Sequence, residues 1–143
     1  MPQPVKIIMI EDDHGHARLI EKNIRRANIA NEILHFDSGE AGLEYLFSHD
    51  IKELGSLLIL LDLNLPDMSG TDILERVKAK EHLRRAVVVV LTTTDDKIEI
   101  QRCYDLGCNV YITKPVEYEA FAVAIRQLGL FLSVMQPPEI SPA

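Results

Sequence analysis

The chain has 143 residues, 47% of them hydrophobic, which is enough for one domain with a real core. A net charge of −7, with no Lys/Arg cluster, argues against a nucleic-acid footprint. No apolar run is long enough to cross a bilayer, no signal-peptide pattern opens the chain, and two cysteines (Cys103, Cys108) are too few for a disulfide framework or a zinc site, so a cytoplasmic address is expected by default.

Residues 5–10 are a nearly unbroken apolar run and predict a first strand, closed by Glu11-Asp12-Asp13. Ala17, Ile20 and Ile24 then recur at helical spacing. A second strand is predicted over 32–36, with Asp37 as cap of the next helix and Glu40 three residues on. Residues 57–61 predict a strand buried on both faces, and it ends abruptly in Asp62. Ser69 is placed to cap the third helix, with Asp72 in its first turn. A fourth strand over 87–91 runs into Thr92-Thr93-Thr94, and a fifth over 110–113 into Lys114-Pro115. Phe121, Ile125, Leu128 and Leu132 line one face of a last helix. The domain is expected to span residues 1–135, with a frayed, proline-rich tail over 136–143.

Strands alternating with helices at this interval predict βαβ units and an α/β fold. The expected architecture is a doubly wound (βα)5 parallel sheet of order 2-1-3-4-5, flavodoxin-like. Such sheets bind ligands outside the carboxyl ends of their strands, and strands one and three meet at the switch point. Glu11, Asp12 and Asp62 should therefore converge. Three carboxylates that close repel one another unless a cation sits among them. Oxygen-only ligands suit Mg²⁺ best. A Thr92 hydroxyl and the Lys114 ammonium should lie nearby. Together they make a site for a phosphoryl group: cations neutralise its oxygens, threonine donates to one, and a carboxylate attacks. Each signal alone has a plainer reading. A strand-end Asp is usually a cap or turn former, an acidic run suits a helix start, and Lys-Pro is common in loops. Their occurrence at four strand ends favours the functional reading.

Over residues 4–134 the chain resembles the receiver domain of bacterial two-component response regulators. The likeness is carried by Glu11-Asp12, by Asp62-Leu63-Asn64-Leu65-Pro66-Asp67-Met68-Ser69-Gly70, by Thr92, and by Val110-Tyr111-Ile112-Thr113-Lys114-Pro115. The resemblance implies that Asp62 accepts a phosphoryl group from a phosphohistidine on a sensor histidine kinase. Asp12 and Asp62 would ligate Mg²⁺ (or Mn²⁺), Glu11 would hold a metal-bound water, and Asn64 would offer its backbone carbonyl. Asp13 is a lesser candidate. Lys114 would pair with the phosphoryl group, Thr92 would be the switch hydroxyl, and Tyr111 would turn into the space Thr92 vacates. Such a protein is a signalling phosphoacceptor rather than an enzyme, although it catalyses its own Mg-dependent phosphotransfer and slow dephosphorylation. The stretches Glu11-Asp12-Asp13-His14-Gly15-His16-Ala17-Arg18-Leu19 and Arg126-Gln127-Leu128-Gly129-Leu130-Phe131-Leu132-Ser133-Val134-Met135-Gln136-Pro137 resemble those of single-domain regulators paired with bacterial phytochromes.

Two departures stand out. Thr93 occupies a place where many receivers carry Ala or Gly, which should narrow access to Asp62. Cys108 replaces the usual Ala and should pack similarly. His14 and His16 flank the acids but read as surface residues rather than ligands. No output domain is expected in the few residues after the receiver, so the output should be a change of protein partner. Residues 128–135 are apolar nearly all round, which favours a homodimer through the last helix. Three other readings are weaker. A binding module that no longer accepts phosphate is disfavoured by the intact acids, Thr92 and Lys114. A phosphatase with an aspartyl-phosphate intermediate would want Asp where Asn64 stands. A flavodoxin-like electron carrier would want a Ser/Thr/Gly-rich loop after strand one, where the acids lie.

Overall fold

The computed structural model describes residues 5–48, 55–114, 119–121, 123–124 and 127. Five strands alternate with helices: β1 (Lys6–Ile10), α1 (His14–Arg26), β2 (Ile33–Phe36), α2 (Gly39–Ser48), β3 (Leu57–Leu61), α3 (Gly70–Ala79), a 3₁₀ turn (Glu81–Leu83), β4 (Val87–Thr92), α4 (Lys97–Leu106) and β5 (Val110–Thr113). Residues 119–121, 123–124 and 127 are helical too. The sheet is wholly parallel, in the expected order β2-β1-β3-β4-β5. Strand bounds match the sequence expectation within one residue at each end. Among the described residues, no helix is long and apolar enough to cross a membrane.

Side chains alternate across a strand, so each apolar run supplies both faces of the sheet. Ile8, Ile10, Ile59, Leu61, Val88 and Val90 pack on the side covered by α2, α3 and α4. Ile7, Met9, Leu58, Leu60, Val89 and Leu91 pack on the other, against Ala17, Ile20 and Ile24 of α1. Phe121 joins this second layer at 1% exposure. Of the other residues assigned to the last helix face, Ile125, Leu128 and Leu132 lie outside the described residues, as do Pro115 and the 136–143 tail.

One expected helix cap is present and another is replaced. Ser69 caps α3 by accepting from Thr71 N, and Asp72 stands in the first turn. At α2 the expected Asp37 is displaced. Ser38 Oγ accepts from Ala41 N at 3.1 Å, and the distant Asp67 carboxylate accepts from Gly39 N and Glu40 N at 3.0 and 2.8 Å. Asp37 instead faces His14 Nε2 at 3.4 Å. A carboxylate satisfies two orphan donors where one hydroxyl satisfies one.

The turn after β3 is the tightest part of the frame. Gly70 N donates to Leu63 O at 3.0 Å, which folds α3 back on the segment after Asp62. A Cβ on Gly70 would lie 2.5 Å from both Asp62 O and Leu63 Cα, which are backbone atoms that cannot rotate away. Gly70→Ala should lower the unfolding free energy by about 2–3 kcal/mol in urea denaturation. Gly15→Ala in α1 crowds only the Asp13 carboxylate, at 3.2 Å, and should cost less than Gly70→Ala.

Candidate functional site

Parallel strands whose faces are both covered leave only their tips open to ligands. At the carboxyl ends of β1 and β3 the chain brings Glu11, Asp12 and Asp62 together, each offering an oxygen within 4.8 Å of the others. The backbone sets this convergence. Asp62 N donates to Ile10 O and Glu11 N to Phe36 O, both at 3.0 Å, so the acids continue the ladder of β1. Asp13 is not one of this group. Its side chain caps α1 by accepting from His16 N at 3.0 Å, and this bond holds its carboxyl below the usual range.

Lys114 arrives from β5, where its backbone N donates to Thr92 O at 2.7 Å. Its Nζ donates to Glu11 Oε1 and lies 3.5 Å from Asp62 Oδ2. All three side chains are nearly removed from solvent. Burial pushes the Glu11 carboxyl up to about 7, the neighbouring Asp62 carboxyl adds to the rise, and Lys114 opposes it. Burial is the leading cause and the adjacent Asp62 carboxyl the next; with Asp12 alongside, the cluster carries more negative charges than its one ammonium offsets. A small divalent cation would cancel them, and an all-oxygen donor set suits a hard ion.

Thr92 is fully buried at the end of β4. Asn64 N donates to Asp62 Oδ1 at 3.0 Å, and its side-chain Nδ2 lies 3.0, 3.2 and 3.4 Å from the hydroxyls of Thr92, Thr93 and Thr94. An amide has two protons, so the three hydroxyls compete for them. Tyr111 is partly buried, and its hydroxyl donates to Thr94 O at 2.6 Å. Burial raises that phenol to about 12. The loop after Thr92 is thus held from the β3 side by Asn64 and from the β5 side by Tyr111.

Sequence reasoning named Glu11, Asp12, Asp62, Asn64, Thr92, Tyr111 and Lys114, and the fold brings all of them to this end of the sheet. It missed the use of the Asn64 side chain on the threonines and, although it set His16 beside the acids, the contact of His16 with Lys114. His16 Nδ1 lies 3.5 Å from Lys114 Nζ. No local pattern signals either contact, since each joins segments far apart in the chain.

Residues 7–126 match the family model for the response regulator receiver domain. The response regulator Rcp1 of Synechocystis sp. is 34% identical over 113 residues, covering 78% of this chain and 77% of that protein. A solved response regulator receiver domain from Rhodospirillum rubrum is 65% identical, with a TM-score of 0.77, covering 94% of this chain and 97% of that one. The phosphorylated cyanobacterial phytochrome response regulator RcpA is 30% identical, with a TM-score of 0.76 and coverage of 94% and 99%. The Mn²⁺-bound form of Rcp1 gives a TM-score of 0.73 at 29% identity, covering 98% of this chain and 100% of that one.

The raised Glu11 pKa has a signed consequence for stability. A carboxyl whose pKa is higher folded than unfolded takes up a proton on folding. Its contribution is present at low pH and is lost as pH rises through about 7. In chelator, the stability of the native sequence relative to Glu11→Gln should fall by on the order of 1–2 kcal/mol from about pH 5 to about pH 8. Urea denaturation at each pH reads the difference, and an ordinary Glu11 pKa would leave it flat across that range.

Proposed function

Because the chain belongs to the response regulator receiver domain family, we propose that it is a phosphorylation-activated, single-domain regulator of a two-component system, charged on Asp62 by a phytochrome-type histidine kinase. The observation that supports this most is the meeting of Glu11, Asp12 and Asp62 with Lys114 and Thr92 at the strand tips. The phytochrome pairing draws on the likeness to RcpA, which is described as a phytochrome response regulator.

In this reading an Asp62 carboxylate oxygen attacks the phosphorus of a phosphohistidine. The P–N bond breaks as the P–O bond forms, and the imidazole leaves to take up a proton. Asp12, Asp62 and the Asn64 backbone carbonyl would hold Mg²⁺ (or Mn²⁺), with Glu11 reaching it through water. Bound there, the ion would neutralise phosphoryl oxygens as charge develops. Asn64 N, already donating to Asp62 Oδ1, orients the carboxylate. Lys114 lies 3.5 Å from the other oxygen, Asp62 Oδ2, and needs to leave Glu11 to pair with the phosphoryl group. Thr92 would release Asn64 to donate to that group, and Tyr111 would follow into the space. Receivers of this kind are phosphoacceptors that catalyse their own charging and slow discharge.

The output in this reading is a changed protein contact. Phosphorylation adds about −1.5 to −2 charges. Carrying the population from about 1:99 to 99:1 takes about 5.5 kcal/mol of differential interaction, which a buried phosphoryl–lysine–metal cluster can supply. We place the receiver over residues 1–135, with the 136–143 tail outside it, and a homodimer through the last helix. The apolar character of residues 128–135 supports that helix as the contact.

Acetyl phosphate with Mg²⁺ should retard the protein on a phosphate-affinity gel, and chelator or Asp62→Asn should abolish the shift. Retardation of Asp62→Asn equal to the native chain would overturn the assignment. Separately, Phe131→Asp should convert a dimer to a monomer by sedimentation. An unchanged particle mass would remove the dimer proposal and leave the phosphoacceptor intact.

A further inference from the structure

On the side of the sheet covered by α2 and α3, a groove of about 680 Å³ runs between the two helices. Its apolar floor is Leu43, Phe47 and Met68. Leu43 is buried, whereas Phe47 is 38% exposed, among the large hydrophobic side chains that the described surface leaves open. The rim is acidic. Glu40 and Glu44 stand on α2, Asp72 on α3 and Asp67 on the loop between β3 and α3, all exposed. Among the described residues of the lining, Arg76 is the one cation.

These carboxylates differ in how far they are already answered. Asp67 is partly neutralised by the two amides at the start of α2, whose hydrogen bonds hold its carboxyl below the usual range and keep it ionised. Among the described residues, no ion pair within 4.0 Å joins Glu40, Glu44, Asp72 or Arg76 to an opposite charge. The aromatic floor already draws a cation, since Lys80 Nζ sits 5.5 Å over the Phe47 ring.

We propose that the α2–α3 groove is a docking site for a basic amphipathic segment of a partner protein. An apolar side chain would enter between Leu43, Phe47 and Met68, while Lys or Arg on the flanks meet Glu40, Glu44 and Asp72. That is the helix-in-groove mode, with apolar anchors for affinity and charge for orientation. Nucleic acid and anionic lipid are repelled by the same rim. A second copy of this chain carries a net charge of −7 and is opposed by it too. The proposal does not depend on the phosphoacceptor reading, because the groove contains none of Glu11, Asp12, Asp62 or Lys114.

The test uses the full chain and a fluorescein-labelled model helix with leucine on one face and lysine on the other, read by anisotropy. Binding is expected, weakening as salt rises. Glu44→Lys with Asp72→Lys should weaken it by about tenfold or more, and Phe47→Ser by about fivefold. Glu21→Lys with Glu32→Lys makes the same change in net charge on exposed sites elsewhere and should stay within about twofold. Amide shifts of the labelled protein should concentrate in Glu40–Phe47 and Met68–Arg76, a readout that needs no variant. Four results would overturn the proposal: no binding by the native chain, equal weakening by both charge-reversed pairs, shifts centred elsewhere, or a particle mass that changes with Glu44→Lys and Asp72→Lys. The last would assign the groove to self-association.

Discussion

Three carboxylates held against a single ammonium are the constraint around which the rest is arranged. Left alone, Glu11, Asp12 and Asp62 would push apart, and their close approach costs folding free energy. What holds them is backbone: Glu11 and Asp62 sit on the same hydrogen-bonded ladder that orders β1, β2 and β3, and Asp12 follows directly on Glu11. Lys114 is delivered by the sheet's far side through β5, which pairs with β4 rather than with β1. The core therefore sets the spacing of charges at its edge. Strands that bury apolar residues on both faces place few polar groups except at their ends, and that is where this chain keeps them.

Much of this was legible because it follows from local rules. Unbroken apolar runs marked the central strands, and helical spacing marked α1. Once the order 2-1-3-4-5 is expected, the residues at strand tips must meet, whatever their separation in the chain. What escaped notice shares one physical character. Asp67 capping α2, the Asn64 amide on three threonine hydroxyls, and His16 beside Lys114 are side-chain contacts between distant segments. Propensity and periodicity carry no information about them. Asp37 shows the converse: a good local cap candidate loses to a carboxylate from across the fold, because that group satisfies two amides at once.

The threonine stretch after β4 illustrates how one loop can be anchored by two unlike partners. Asn64 reaches it from the segment that carries Asp62, and Tyr111 reaches it from β5. A displacement of the Thr92 hydroxyl breaks the first contact and leaves the second, to the Thr94 carbonyl, as the tie to β5. The loop is short and bound at both ends of its polar sequence. It therefore has few ways to move that leave α4 and β5 undisturbed.

The cap supplied by Asp67 ties two otherwise separate parts of the molecule. The segment leaving Asp62 ends on the first turn of α2, and Met68 beside it fills the space where a Gly39 side chain would lie. Helix α2 is therefore tied to the turn that follows Asp62. The ten residues of that helix are thus fixed at their first turn to the segment that leaves the strand tips, so the outer wall on that side and the acidic cluster share one anchor.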